Sequence, residues 1–230
     1  MHARINTVML AAGALALAAG TTTLAVGAST LPVASASTSA ATWTVTPGGQ
    51  YRAQVRDDNF WGILDVGTNQ ELHCTVNASA WSMRLRFKKG TGLSDPIGWV
   101  RSLSFPKPCF PGGMGPVTLS AAGNPWGINA LSYDSAGQVT SGRLTHVHLA
   151  LSGPHCSAVL DGSSATANDG TAPFEYNNGP ANTLQTAYSP GSGNLRAYQV
   201  SGCRQMLRSG DIVRVFFGYD LNRALTVTSP

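Results

Sequence analysis

Two stretches of this sequence carry residue types that could do chemistry: His146 and His148, two residues apart, and a row of cations at Arg84, Arg86 and Lys88. Alternate residues of an extended strand share a face, so the two imidazoles would stand side by side, as a sheet presents them to a metal ion or a substrate. A zinc site needs a third ligand. Asp161, His155 and His73 are of the right type, and nothing in the spacing brings any of them beside the pair. The plain alternative is the polar outer face of an antiparallel strand, where histidine is an ordinary residue.

The same alternation over residues 81–89 sends Trp81, Met83, Leu85 and Phe87 to one side. Arg84, Arg86 and Lys88 then stand on the other side about 7 Å apart, with Arg101 on a following strand able to pair beside them. Such a row can follow the phosphates or carboxylates of an anionic polymer, which guanidinium groups grip bidentately. Basic residues on an exposed or edge strand also prevent edge-to-edge aggregation. Trp61, Trp81, Trp99 and Trp126 could form a carbohydrate platform, although most aromatics of such a chain belong in the core.

Other chemistries lack their residues. There is no G-x-S-x-G elbow, no H-E-x-x-H and no phosphate loop. Glu71 and Glu175 are the only glutamates, and Asp57 and Asp58 are adjacent, so a carboxylate pair for glycoside cleavage has little to draw on. No motif asks for a cofactor, and none is expected. The formal net charge of +4 is too mild to argue for specific nucleic-acid binding.

The elements that position these residues read as strands. Residues 1–36 have the form of a secretory signal peptide, with Arg4 in the n-region, an apolar Ala/Leu/Gly run and small residues at Ala34 and Ala36. A retained anchor is the competing reading, because the run is about long enough to span a bilayer. Gly20 and Thr21 to Thr23 interrupt it, and the cleavage signal follows, so a secreted chain over residues 37–230 without a membrane span is expected. That chain is Gly-, Ser- and Thr-rich, and no stretch keeps the helical apolar period over three turns. About a dozen short strands separated by turn signals predict an all-β protein, an antiparallel β-sandwich or two packed small β units over residues 42–121 and 122–230.

Cys74, Cys109, Cys156 and Cys203 contain no C-x-x-C pair and belong to an exported chain, so two disulfides are expected rather than a metal site. Three pairings are open. The sequential one, Cys74–Cys109 and Cys156–Cys203, is preferred because each bridge then closes one half of the chain. Each half also carries a similar motif: Gly98-x-Val100-x-x-Leu103-x-Phe105 precedes Cys109, and Gly142-x-Leu144-x-x-Val147-x-Leu149 precedes Cys156. Either the halves are related units or glycine-bounded strands coincide by chance. Within the second motif, Thr145, Val147, Leu149 and Leu151 are predicted to face one way and His146, His148 and Ala150 the other.

The order Trp43-Thr-Val-Thr-Pro-Gly-Gly49, Cys74, Cys109, Asn124-Pro-Trp126, Tyr133-Asp134, the run from Leu151 to Gly162 around Cys156, Val200-Ser-Gly-Cys203, Ser209-Gly-Asp211 and a terminal Thr-x-Thr-Ser-Pro230 resembles a group of small exported proteins of actinobacteria. The resemblance covers nearly all of residues 37–230. It implies secretion and sequential disulfides, and it brings no catalytic residues. The basic run from Arg84 to Lys89 departs from that group, whose corresponding stretch is Gly/Ser-rich and nearly uncharged.

These features favour a secreted, disulfide-stabilised, non-enzymatic β protein whose basic strand meets an anionic cell-envelope polymer or another extracellular partner. Two alternatives stand beside it: a metal-dependent or histidine-based hydrolase using His146 and His148, and a carrier of a small apolar metabolite with a Trp-lined pocket.

Overall fold

The computed structural model describes residues 41–56, 61–74, 82–105, 108–109, 115–123, 125–180, 182–186 and 193–229. The leader expected over residues 1–36 lies outside them, as do Asp57, Asp58 and Trp81. Seventeen strands and one 3-10 turn, Cys203–Gln205, make up the described elements. The all-β class expected from the alternation is what forms.

The architecture differs from a two-sheet sandwich. Eight strands close on themselves: β2 (Gly49–Val55), β5 (Ser82–Phe87), β7 (Gly98–Ser104), β9 (Trp126–Asp134), β10 (Val139–Gly153), β12 (Gly170–Asn177), β13 (Thr183–Thr186) and β16 (Gly218–Leu221) pair in that order, and β16 returns to β2. All eight junctions are antiparallel. Alternation shows that a strand has one buried face. It does not say whether that face meets a second sheet or curls round to meet its own.

The buried faces fill the barrel with Tyr51, Leu85, Val100, Ile128, Leu144 and Phe174, among others. Gly142 is required for this packing, because a Cβ there would lie 2.4 Å from both the Asn129 carbonyl oxygen and Cζ of Phe174. Three short strands, β1 (Trp43–Thr46), β6 (Gly90–Leu93) and β17 (Thr226–Thr228), form a separate sheet. The Tyr176 hydroxyl donates to the Leu225 carbonyl (2.6 Å), which ties the approach to β17 onto a barrel strand. A second small sheet consists of β3 (Trp61–Asp65), β4 (Gln70–Cys74) and β15 (Val213–Phe216). Residues 213–221 are thus divided between β15 and β16.

The x-x gap in the repeated motif proves to be a β-bulge in both copies. On β7, Val100 opposes Leu85 and Ser102 opposes Arg84, which leaves Arg101 as the extra residue. On β10, Thr145 opposes Thr171 and Val147 opposes Gly170, which leaves His146 extra at φ 62°. One inserted residue shifts the alternation and bends the strand. The prediction that Thr145 shares a face with Val147 is therefore corrected: Leu144, Val147, Leu149 and Leu151 are buried, and Thr145 lies outside with Arg143.

Beyond this bulge β10 leaves the barrel and pairs instead with β8 (Thr118–Ala122) and β11 (Cys156–Asp161), and β11 pairs with β14 (Arg196–Gly202). Cys74 bonds Cys109 and Cys156 bonds Cys203, the sequential pairing. Two disulfides suit an oxidising compartment, and among the described residues no helix is long and apolar enough to cross a membrane.

Candidate functional site

His146 and His148 flank the buried Val147 and have different settings. His146 occupies the left-handed bulge and is exposed, whereas His148 is partly buried and donates from Nδ1 to Oδ2 of Asp161 (2.9 Å). Asp161 ends β11 with no exposed surface. Its Oδ1 accepts from the backbone N–H groups of Gly162 (2.7 Å), Asp169 (3.1 Å) and Gly170 (3.2 Å), and its Oδ2 accepts from that of Asn168 (2.9 Å) as well as from His148. Burial alone would raise the Asp161 pKa, but the bonds from Gly162, His148 and Asn168 and the His148 charge hold it below the ordinary carboxylate value.

The arrangement fixes the 162–170 loop at the corner where β10 exits the barrel. Asp161, one of the candidate third ligands, does reach His148, but as the acceptor of this loop. Among the described residues no three His, Cys, Asp or Glu side chains converge. His73 pairs with Glu71 (2.8 Å), and His155 lies in the turn between β10 and β11.

The cations form a different kind of site. On β5, Met83, Leu85 and Phe87 are buried and Arg84 and Arg86 are exposed, and β2 and β7 flank β5 on either side. Two rungs cross the three strands. Arg52, Arg84 and Ser102 stand in register on one, and Gln50, Arg86 and Trp99 on the next. The bulge on β7 turns Arg101 out between them, exposed.

Arg52 was not among the residues singled out from the sequence. Its signal was available in residues 50–55, where Tyr51, Ala53 and Val55 take the core and Arg52 therefore faces out. Lys88, counted with the arginines from spacing, has a different setting. It follows the end of β5, its Nζ donates to the Ser94 carbonyl (2.8 Å), and it lies 5.7 Å from the centre of the Trp99 ring. Among the described residues, the side chains of Arg52, Arg84, Arg86 and Arg101 make no hydrogen bond or ion pair.

Two surface grooves run over this face. One, of about 650 Å³, is lined by Arg86, Lys88, Lys89, Trp99 and Arg101 beside Gly48 and Gly49. The other, of about 420 Å³, is lined by Gln50, Arg52, Arg84, Arg86, Arg101 and Asn222 with the edges of Tyr51 and Leu85. They share Arg86 and Arg101. Of the remaining tryptophans, Trp126 is in the core with Nε1 donating to the Ala122 carbonyl (3.1 Å). The site thus offers several unpaired guanidinium groups, one partly buried indole and a few amides on a rigid sheet, suited to holding an extended anion.

No protein-family model, no curated protein and no solved structure matches this chain. The likeness to exported actinobacterial proteins therefore rests on residue order alone.

Proposed function

We propose that this is an exported, non-enzymatic β-barrel protein that holds an anionic cell-envelope polymer on the outer face of β2, β5 and β7. The observation that carries the reading is the cluster of Arg52, Arg84, Arg86 and Arg101, whose side chains have no acidic partner among the described residues. Arg52 and Arg84 stand directly opposite each other, an arrangement of like charges that costs stability on a sheet. Guarding a free strand edge does not explain it, because β5 is hydrogen-bonded on both sides within a closed barrel. A bound polyanion supplies the missing countercharge and releases its own condensed counterions. Secretion accords with the two disulfides and with the leader-like sequence of residues 1–36.

The test is sedimentation of the purified mature protein with actinobacterial cell walls across a salt series. A variant with Arg52, Arg84, Arg86 and Arg101 changed to Gln is compared with one changed at Arg204 and Arg208, which line neither groove. Binding that weakens steeply with salt, survives the second set and is lost in the first is expected. Equal binding by both variants would sink the assignment to this face, and no binding by the wild type would remove the polymer itself.

A further inference from the structure

The two rungs of the basic face differ in what they ask of a ligand. The first is purely cationic across β2 and β5, with Arg52 opposite Arg84 and the Ser102 hydroxyl beyond. The second carries the Gln50 amide, the Arg86 guanidinium and the Trp99 indole. Successive rungs are about 7 Å apart along the strand, and Arg101 projects between them. At the far end Lys88 keeps a positive charge beside the indole.

A flexible polyphosphate would use the arginines and leave the indole and amides idle. A single-stranded nucleic acid would use stacking platforms for successive bases. This track offers one: Tyr51, the other aromatic with a polar tip beside it, is 2% exposed and covered by Arg223, 4.3 Å above its ring, and Phe87 is buried. A sugar chain bearing carboxylates fits all the groups. A ring lays its C–H face on one indole, hydroxyls meet amides, and each carboxylate takes a fork of guanidinium donors.

We propose that the occupant is an acidic polysaccharide, with one carboxylate held between Arg52 and Arg84, the next between Arg86 and Arg101, and a sugar ring stacked on Trp99. This rests on the reading of the basic face as the binding surface and specifies the chemistry that the face selects.

The experiment is titration calorimetry of the mature protein at fixed salt with three probes of matched charge: oligogalacturonate, inorganic polyphosphate and oligo(dT). Oligogalacturonate should bind tightest. Trp99→Ala should weaken it roughly ten-fold or more, on the scale of aromatic stacking contacts, while leaving polyphosphate unchanged, and Trp99→Phe should restore part of the loss. Arg52→Gln with Arg84→Gln should weaken all three probes. Thermal melts of each variant separate a loss of stacking from a loss of fold. If polyphosphate binds as tightly as the saccharide, or Trp99→Phe and Trp99→Ala both bind as the wild type does, the saccharide proposal falls and the basic-face reading survives. Tightest binding of oligo(dT) assigns the face to nucleic acid instead. If none of the three binds, both readings fall.

Discussion

The Asp161 corner and the basic outer face are both concentrations of charge on one barrel, and they are finished in opposite ways. At the corner a fully buried carboxylate meets five donors supplied by the chain itself, four of them backbone N–H groups of residues 162–170. On the outer face four guanidinium groups meet none among the described residues, and two of them oppose each other across a strand pair. A buried charge left unpaired would cost several kcal/mol, so folding must complete its shell internally. An exposed guanidinium is solvated and costs little to leave open. The completed site serves stability, and the open one is the face proposed for binding.

The corner is most vulnerable at Asp161. Replacing it with Ala strands four backbone donors and His148, and a loss of about 3–5 kcal/mol in urea unfolding is expected. The fraction that remains folded should bind polyanion as the wild type does, and weakened binding would show that the two regions are not independent. His148→Ala removes one donor from the carboxylate, and a loss of about 1.5–3 kcal/mol is expected, on the scale of a hydrogen bond to a charged group.

Acid provides a second route to the same corner. Because the Asp161 pKa is lowered in the folded state, the stability it contributes is present above the unfolded carboxylate value of about 4 and is lost as pH falls through the lower folded value. Unfolding followed by fluorescence from pH 6 downward should therefore show stability declining below about pH 4. The decline should be shallower in Asp161→Asn, and an identical decline in that variant would assign the acid sensitivity to other carboxylates.

The smallest effect has the opposite sign. Arg84→Glu converts a like-charge pair with Arg52 into an attractive one, so the melting temperature should rise by the equivalent of about 0.2–1 kcal/mol while cell-wall binding falls. Functional sites commonly trade stability in this way. A variant that was both less stable and still able to bind would reverse the assignment of Arg84 to the open site.

The legible parts of the site were those that depend on parity alone. Residues 82–87 alternate without interruption, so their exposed arginines could be placed outside before any fold was known. The expected alternation over residues 145–151 failed at Thr145, because the bulged residue His146, at φ 62°, breaks parity there. The only trace of that bulge in sequence is the two-residue gap in Gly142-x-Leu144-x-x-Val147, which also marks Arg101 in the first copy. The link from Asp161 to residues 168–170 was not legible, since a carboxylate that accepts backbone bonds needs no particular partner residue types.

The sequence by itself determined the all-β class, because period-two burial and the scarcity of helical periodicity are local properties. It also favoured the disulfide partners, since in the sequential pairing each bridge closes one half of the chain. Only the tertiary structure decided that eight strands close into a barrel, that Arg52 joins Arg84 across β2 and β5, and that Lys88 is drawn aside to Ser94 and Trp99. Those outcomes depend on which strand edges meet. That choice is settled by the summed packing of residues far apart in the chain and by where bulges bend the strands.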